Sequence, residues 1–221
     1  AYKIASADMT NFPLIKHVTS TKKPIIISTG MSTLEEIEKT VNFVKNLNVQ
    51  FILLHCNSTY PSHIDMLNLK MIPYLRKKFD IPVGYSGHEM SVLPSVTAAN
   101  MGAVIIERHI TLDKGMKGLD HSASLEPNEL KQLIQNIRES EIVMGKANKK
   151  MTRGEIMQRE VLGKSLVCSN TIKLGEKFSE NNIEVKGPAK GLSPQYYYEI
   201  LNKKSKRKIE KGDYILNEDL N

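Results

Sequence analysis

The stretch IPVGYSGHEMSVLPSVTAANMGAVIIERHI, Ile81 to Ile110, contains the unit that decides the fold. It opens on a short apolar β-rich run, Ile81–Tyr85, and closes on a second, Ala103–Ile110, with a helix-length segment between them. Strands that alternate with helix-length segments read as right-handed βαβ units, whose long crossovers join parallel strands. Each run ends on polar residues: Ser86 and His88 after the first, Glu107 and His109 within the second.

Upstream the same unit recurs in the runs Tyr2–Ala7, Ile25–Thr29 and Gln50–His55. Successive runs start 23, 25, 31 and 22 residues apart. The segments between them are amphipathic. In Thr33–Asn46, Ser32 or Thr33 can cap, Glu35 and Glu36 suit the N-terminal dipole, and Leu34, Ile37, Val41 and Val44 form an apolar stripe. A further helix is expected over Pro127–Met144, with Leu130, Leu133, Ile134, Ile137, Ile142 and Val143 on or near its buried face. Five such units make an α/β fold. They fit an open doubly wound sheet or the later part of an eight-stranded (β/α) barrel, and both place ligands at the C-terminal strand ends. Polar residues stand at all five ends: Ser6 and Asp8; Ser28 and Thr29; His55, Asn57 and Ser58; Ser86 and His88; Glu107 and His109. Packing alone does not require this, so the pattern predicts a functional face.

The composition narrows the class. The 221 residues are 40% apolar and 25% charged, which excludes a wholly disordered chain. The longest apolar runs, such as Ile25–Ile27 and Phe51–Leu54, are too short to span a bilayer. Trp is absent and aromatics are 6%, which argues against stacking-based nucleic-acid binding. The net charge of +7 is concentrated late: residues 1–145 carry 15 basic and 14 acidic side chains, residues 146–221 carry 16 and 10. The run Lys203–Lys208 lacks interleaved aromatics and reads as solvated surface. Two cysteines, Cys56 and Cys168, without CxxC spacing, read as reduced thiols of a cytoplasmic protein. The chain starts on Ala with no basic-then-apolar leader, which allows it to be a piece of a longer product.

Residues 146–160 are polar, Lys/Arg-rich and without apolar period, and read as a linker. Residues 161–221 then show short strand-like pieces (Ser165–Cys168, Thr171–Leu174, Ile183–Val185, Tyr214–Leu216) punctuated by Asn182, Gly187, Pro188 and Gly212. This is a small β-rich module following an α/β domain of residues 1–145. Tyr196–Tyr198 reads as a helix packed on it.

The sharpest chemical signal is the pair His88 and His109. At the ends of consecutive strands they become neighbours, able to share one divalent metal or to act as buried hydrogen-bonding groups or bases. Asp120 can add a ligand or orient one. Lys3, in register with Ser6, suits a phosphate or carboxylate, a structural ion pair, or a Schiff base of an aldolase or lyase. A non-enzymatic sugar-binding fragment is the third reading.

The phrases YKIASAD…N-PLI, KPIIISTGM, LLHCNSTYP, VGYSGHE and IIERHITLD…GLDHSASLEP, in this order, resemble the sialic acid (N-acetylneuraminate) synthase family. The later VKGPAKGLSP…ILNKKSKRKIEKGDYILNEDL resembles that family's C-terminal antifreeze-like SAF module. The resemblance implies a (β/α)8 TIM barrel, here represented by strands four to eight, followed by a β-clip SAF domain, in a domain-swapped dimer. It implies a carbon–carbon bond-forming transferase that condenses phosphoenolpyruvate with an open-chain N-acetylated amino sugar and releases phosphate. His88 and His109 match the family's metal ligands, typically for manganese. Lys3 and Ser6 match residues that hold phosphoenolpyruvate, and Ser58 and Ser86 fall where its phosphate or carboxylate is contacted. Tyr60 and Asp120 match sugar-side residues. Asp8 falls where a Glu is thought to handle water addition. The departures are Asp8 for Glu, Ser58 for Asn, and Lys186–Gly187–Pro188–Ala189 in place of a phrase whose Arg reaches the sugar's N-acetyl group. They point toward a relative making another nonulosonic acid, such as legionaminic acid. The family's three earlier βα units are absent, so the chain reads as a fragment.

Overall fold

A computed structural model describes all 221 residues, which divide into two compact units, Ala1–Lys146 and Ala147–Asn221. In the first unit five strands form one parallel sheet: β1 (Tyr2–Ile4), β2 (Ile25–Ser28), β3 (Phe51–Cys56), β4 (Val83–Gly87) and β5 (Ile106–Arg108). Their spatial order is their chain order, each paired in parallel with the next. A doubly wound sheet would reverse direction somewhere in that order. The sheet is also strongly curved. In a flat sheet, β1 and β5 would stand four strand spacings apart, about 19 Å, too far for two side chains to bridge. Yet Lys3 on β1 lies 3.5 Å from Glu107 on β5. The first unit is therefore a half-barrel.

Strand alternation divides the two faces. Ile4, Ile25, Ile27, Phe51, Leu53, Val83 and Tyr85 point outward into a buried core with the helices. Those helices are α1 (Phe12–Thr19), α2 (Leu34–Asn46), α3 (Met71–Phe79) and α4 (Leu93–Asn100), which contribute Ile15, Ile37, Val41, Val44, Ile72, Leu75, Phe79 and Ala98. Helix α2 starts where its signals put it. Thr33 accepts from the Glu36 amide, and the Glu36 carboxylate accepts from the Thr33 amide. Such a capping box is worth about 1 kcal/mol to the helix end.

Helix α5 occupies Pro127–Met144 as expected, but its face does not. Of its apolar residues only Leu133 is buried; Ile134, Ile142, Val143 and Met144 are exposed. The helix packs on α4 through one turn-spaced edge, and nothing in the unit covers the rest. The stretch 146–160 is likewise not wholly a linker. Helix α6 runs Arg153–Leu162, nucleated by a second capping box in which Thr152 and Glu155 exchange hydrogen bonds. Its apolar side chains Ile156, Met157, Val161 and Leu162 are exposed, which is why no buried stripe marks it in the sequence.

The second unit is built on an antiparallel pair, β6 (Ser165–Cys168) and β7 (Ile183–Lys186), with single bridges Val167–Tyr214, Ile172–Ile209 and Ser205–Leu220. Its core is Leu166, Cys168, Ile172, Phe178, Ile183, Ile200, Ile209 and Ile215. The Tyr triplet enters a short helix, α7 (Tyr197–Ile200); Tyr197 packs on this core while Tyr198 is exposed. Burial, with the negative charge of Asp213 and Asp219, pushes the Cys168 thiol up to about 11. Cys168 is accordingly expected to resist iodoacetamide at pH 8 in the folded protein and to react only in denaturant. Mass-spectrometric quantification of the labelled peptide checks this, and rapid native labelling would contradict the packing.

No helix is long and apolar enough to cross a membrane.

Candidate active site

On the concave face of the half-barrel the inward positions change character along the strands. Ile26, Ile52, Leu54 and Ile105 occupy the N-terminal part, while Lys3, Ser28, Cys56, Ser86 and Glu107 approach the C-terminal ends. Every strand thus contributes one polar or polarisable side chain to the same mouth. With Ser6, Ser58, Tyr60, His88 and His109 from the following loops, they enclose a cavity of about 370 Å³. A larger cavity of about 520 Å³ opens next to it, between the β2 and β3 ends and helices α2 and α3, sharing Met31, Cys56 and Ser58. The convergence of charged and ligating groups makes the smaller one the candidate site.

The histidine pair sits at its rim. The His88 and His109 rings lie 5.2 Å apart, and Tyr60 packs against both, 4.2 Å from His88 and 5.5 Å from His109. His88 Nδ1 is 2.7 Å from the Asn57 carbonyl, so Nδ1–H donates there and Nε2 carries the lone pair. That lone pair accepts from the Tyr60 hydroxyl at 3.0 Å. Burial acts to depress His88, but hydrogen bonds to Cys56 and Asn57 outweigh it and hold its basicity above the ordinary value. His109 is held below the ordinary value, first by burial and then by the His88 charge. Asp120 is largely exposed, with its carboxylate 3.9 Å from His109 Nδ1.

The Lys3 side of the cavity is equally defined. Lys3 faces Glu107, and Ser86 Oγ donates to the same Glu107 oxygen at 2.9 Å. Ser6 Oγ accepts the Gly30 amide at 3.2 Å and lies 3.6 Å from Cys56 Sγ, which also meets Ser58 Oγ at 3.6 Å. Burial raises the Cys56 thiol, yet hydrogen bonds from His88, Ser6 and Ser58 outweigh it and hold the thiol below its usual range. Gly30 is dictated by space: a Cβ there would stand 2.0 Å from Ser58 Oγ and 2.7 Å from Ser6 Oγ. Ser28 Oγ is buried without a hydrogen-bond partner, an orphaned hydroxyl beside Lys3 and Ser6 in the cavity wall.

Lys3, Ser6, Ser58, Tyr60, Ser86, His88 and His109 all line this cavity. Asp8 does not. After β1 the chain turns at once through a 3₁₀ turn, Ser6–Asp8, which carries residue 8 past the rim; its carboxylate accepts from Asn11 Nδ2 at 2.9 Å. Asp120 stands outside the wall, with its carboxylate near His109. Glu107, Ser28 and Cys56 were not singled out by sequence as site groups. Glu107 and Ser28 were visible as strand-end polar residues, but a role for either follows only from curvature that brings β5 opposite β1.

No three His, Cys, Asp or Glu side chains gather closely enough to enclose an ion. Two imidazoles, one with its tautomer fixed by a carbonyl and its Nε2 turned into the site, do fit a divalent metal at an open site, where water or substrate completes the coordination.

The NeuB family pattern matches residues 1–149, and the SAF domain pattern matches residues 163–221. The N,N'-diacetyllegionaminic acid synthase of Campylobacter jejuni is 41% identical over 219 residues, covering 97% of this chain and 65% of its own length. Human N-acetylneuraminate-9-phosphate synthase is 39% identical over 219 residues, covering 98% of this chain and 61% of its own. In the crystal structure of the N-acetylneuraminic acid (sialic acid) synthetase from Leptospira borgpetersenii in complex with citrate, the fold superposes with a TM-score of 0.65 at 34% identity, over 71% of this chain and 55% of that one. The chain spans less than two thirds of the length of these curated relatives.

Proposed function

This chain belongs to the NeuB family, and from that footing we propose that it is the part of a nonulosonic acid synthase that carries barrel strands four to eight and the SAF module. The observation that carries the reading is the joining of an anion-binding wall to a histidine pair in one cavity. Lys3 and the hydroxyls of Ser6, Ser28, Ser58 and Ser86 offer one cation and several donors to the phosphate and carboxylate of phosphoenolpyruvate. His88 and His109 would hold a divalent metal, manganese by the family resemblance, and such a metal would supply Lewis-acid polarisation of an aldehyde oxygen.

The residues of the chain then set the geometry. Lys3 and the serines fix phosphoenolpyruvate on the β1–β4 side, so that its methylene carbon faces the histidine rim. Tyr60 and Asp120 flank that rim and orient the amino-sugar aldehyde beside it. Attack of the methylene carbon on the aldehyde forms the new carbon–carbon bond, and water addition followed by carbon–oxygen cleavage releases phosphate. With Asp8 bound to Asn11, the group that guides the water is not assigned to it. The complete enzyme would act as a domain-swapped dimer.

The lysine Schiff-base reading is disfavoured by the Lys3–Glu107 pair. An ammonium held against a carboxylate is an anion binder, whereas an imine-forming lysine is activated by an apolar or cationic setting. Borohydride trapping with pyruvate is expected to leave Lys3 unmodified.

The sugar follows from the module. Gly187 stands where an Arg would reach an acylamino group, and it has no side chain to donate. A lost charge-assisted hydrogen bond costs about 1.5–3 kcal/mol, roughly ten- to a hundredfold in specificity. The complete enzyme is therefore expected to prefer a 2,4-diacetamido-6-deoxy sugar over N-acetylmannosamine. The ratio of kcat/KM for the two sugars, with phosphoenolpyruvate and manganese, tests this; a ratio favouring N-acetylmannosamine would overturn the sugar assignment and leave the synthase reading standing.

A further inference from the structure

The two histidines are each chain neighbours of a buried charge: Glu89 follows His88, and Arg108 precedes His109. Successive residues point to opposite faces, so the imidazoles face the cavity while Glu89 and Arg108 turn away from it, under the start of α4. There they meet. Arg108 Nη1 lies 2.9 Å from Glu89 Oε1, with side chains 2% and 0% exposed. The other carboxylate oxygen accepts from the Tyr85 hydroxyl at 2.8 Å. The guanidinium also donates to the backbone carbonyls of Glu89 and Ser91 and to Ser95 Oγ. It therefore holds the chain on the C-terminal side of His88 while sitting directly before His109. Gly87 makes room for the arrangement: a Cβ there would stand 2.7 and 2.8 Å from the two Glu89 oxygens.

We infer that the buried Glu89–Arg108 pair positions the histidines, fixing the separation and orientation of His88 and His109 from behind the sheet. The pair touches neither substrate nor the reacting atoms. Its cost explains its use. A buried ion pair is poor at stabilising a fold, because desolvation offsets the attraction, yet the directed hydrogen bonds that both partners make restrict it to one geometry. Here one group is left over, the buried Arg108 Nε. The guanidinium is placed to serve the carboxylate and the two carbonyls, at the expense of its own full satisfaction. The inference rests on His88 and His109 acting as metal ligands.

The experiment uses the complete enzyme with 15N-labelled histidine, read both metal-free and with manganese(II). Arg108→Lys keeps the charge, but one ammonium cannot span the carboxylate, Ser95 and two carbonyls together. The metal-free imidazole nitrogen signals of His88 and His109 are expected to shift or broaden. Manganese affinity, read from the free-ion electron paramagnetic resonance signal, is expected to fall about 10- to 100-fold, the range for disturbed outer partners of a metal ligand. Leu133→Ala, a core truncation in α5, is expected to lower the melting temperature without moving either readout. If Arg108→Lys does not fold, Tyr85→Phe takes its place; it removes one donor to Glu89 and leaves the ion pair, and the same signals should move by less. The inference is overturned if the folded variant melts earlier yet keeps the imidazole signals and manganese affinity of the parent. A parent that binds no manganese would remove the metal reading, and the metal-free imidazole signals would then decide the positioning by themselves.

Discussion

Replacing His88 or His109 with Ala in the complete enzyme is expected to weaken manganese binding more than about a hundredfold and to abolish synthase turnover. Disturbing only the outer partner of a metal ligand already costs about 10- to 100-fold, so removing the ligand itself must exceed that. The two imidazoles are the nitrogen donors of the cavity wall, and no third ligating side chain is gathered near enough to substitute. The two variants should differ in their side effects. His88→Ala strands the Asn57 carbonyl and the Tyr60 hydroxyl, both of which now use His88 as partner, so its melting temperature should fall more. His109 is half exposed and makes no comparably short bond, so His109→Ala should lose metal with little loss of stability. Calorimetric titration with manganese, alongside thermal melting, separates the two effects. Parent-like affinity in either variant would refute the assignment.

Lys3→Ala is expected to raise the KM for phosphoenolpyruvate about ten- to a hundredfold, the equivalent of a lost charge-assisted hydrogen bond of about 1.5–3 kcal/mol, with a smaller change for the sugar. The reason lies in what is left behind. Lys3 faces Glu107 at 3.5 Å, and without it that carboxylate confronts the incoming anion with only Ser86 as partner. Like charges across a shielded cavity repel, so the loss has two parts: an absent cation and an uncovered anion. The double variant Lys3→Ala/Glu107→Gln removes the second part and should recover some of the affinity. Steady-state kinetics over both substrates measure this. An unchanged KM for phosphoenolpyruvate together with an unchanged turnover would show that Lys3 is no anion ligand.

The half-barrel was legible because its signal is local and repeated. Each strand is a short apolar run, and Ser32 or Thr33 followed by Glu35 and Glu36 marks the start of α2 to within one residue, Thr33 being the cap in the structure. The histidine pair was legible for the same reason, since consecutive strands put residues 88 and 109 side by side. Sequence left open whether the sheet was flat or curved, and the Lys3–Glu107 contact between its two outer strands closes that question. Four things escaped. Helix α6 has no buried stripe, so hydrophobic periodicity was silent, although the Thr152–Glu155 capping box was there to be read. The apolar stripe of α5 promised burial, but a stripe reports that a helix can be covered, not what covers it. Asp8 sits at a matching position, but the turn after β1 decides where its carboxylate goes, and Asn11 is what it finds. Glu89 and Arg108 look like ordinary surface charges in the sequence; their burial depends on Gly87 and on α4 lying across them.

The measurement that most directly tests the synthase reading follows a single oxygen atom. The complete enzyme is supplied with manganese, a 2,4-diacetamido-6-deoxy sugar and phosphoenolpyruvate labelled with 18O in the bridge between carbon and phosphorus. One phosphate is expected for each nonulosonic acid formed, with the label in the phosphate, because the carbon–oxygen bond is the one that breaks. Label retained in the sugar acid, or product formed from pyruvate through a borohydride-trappable adduct on Lys3, would contradict it.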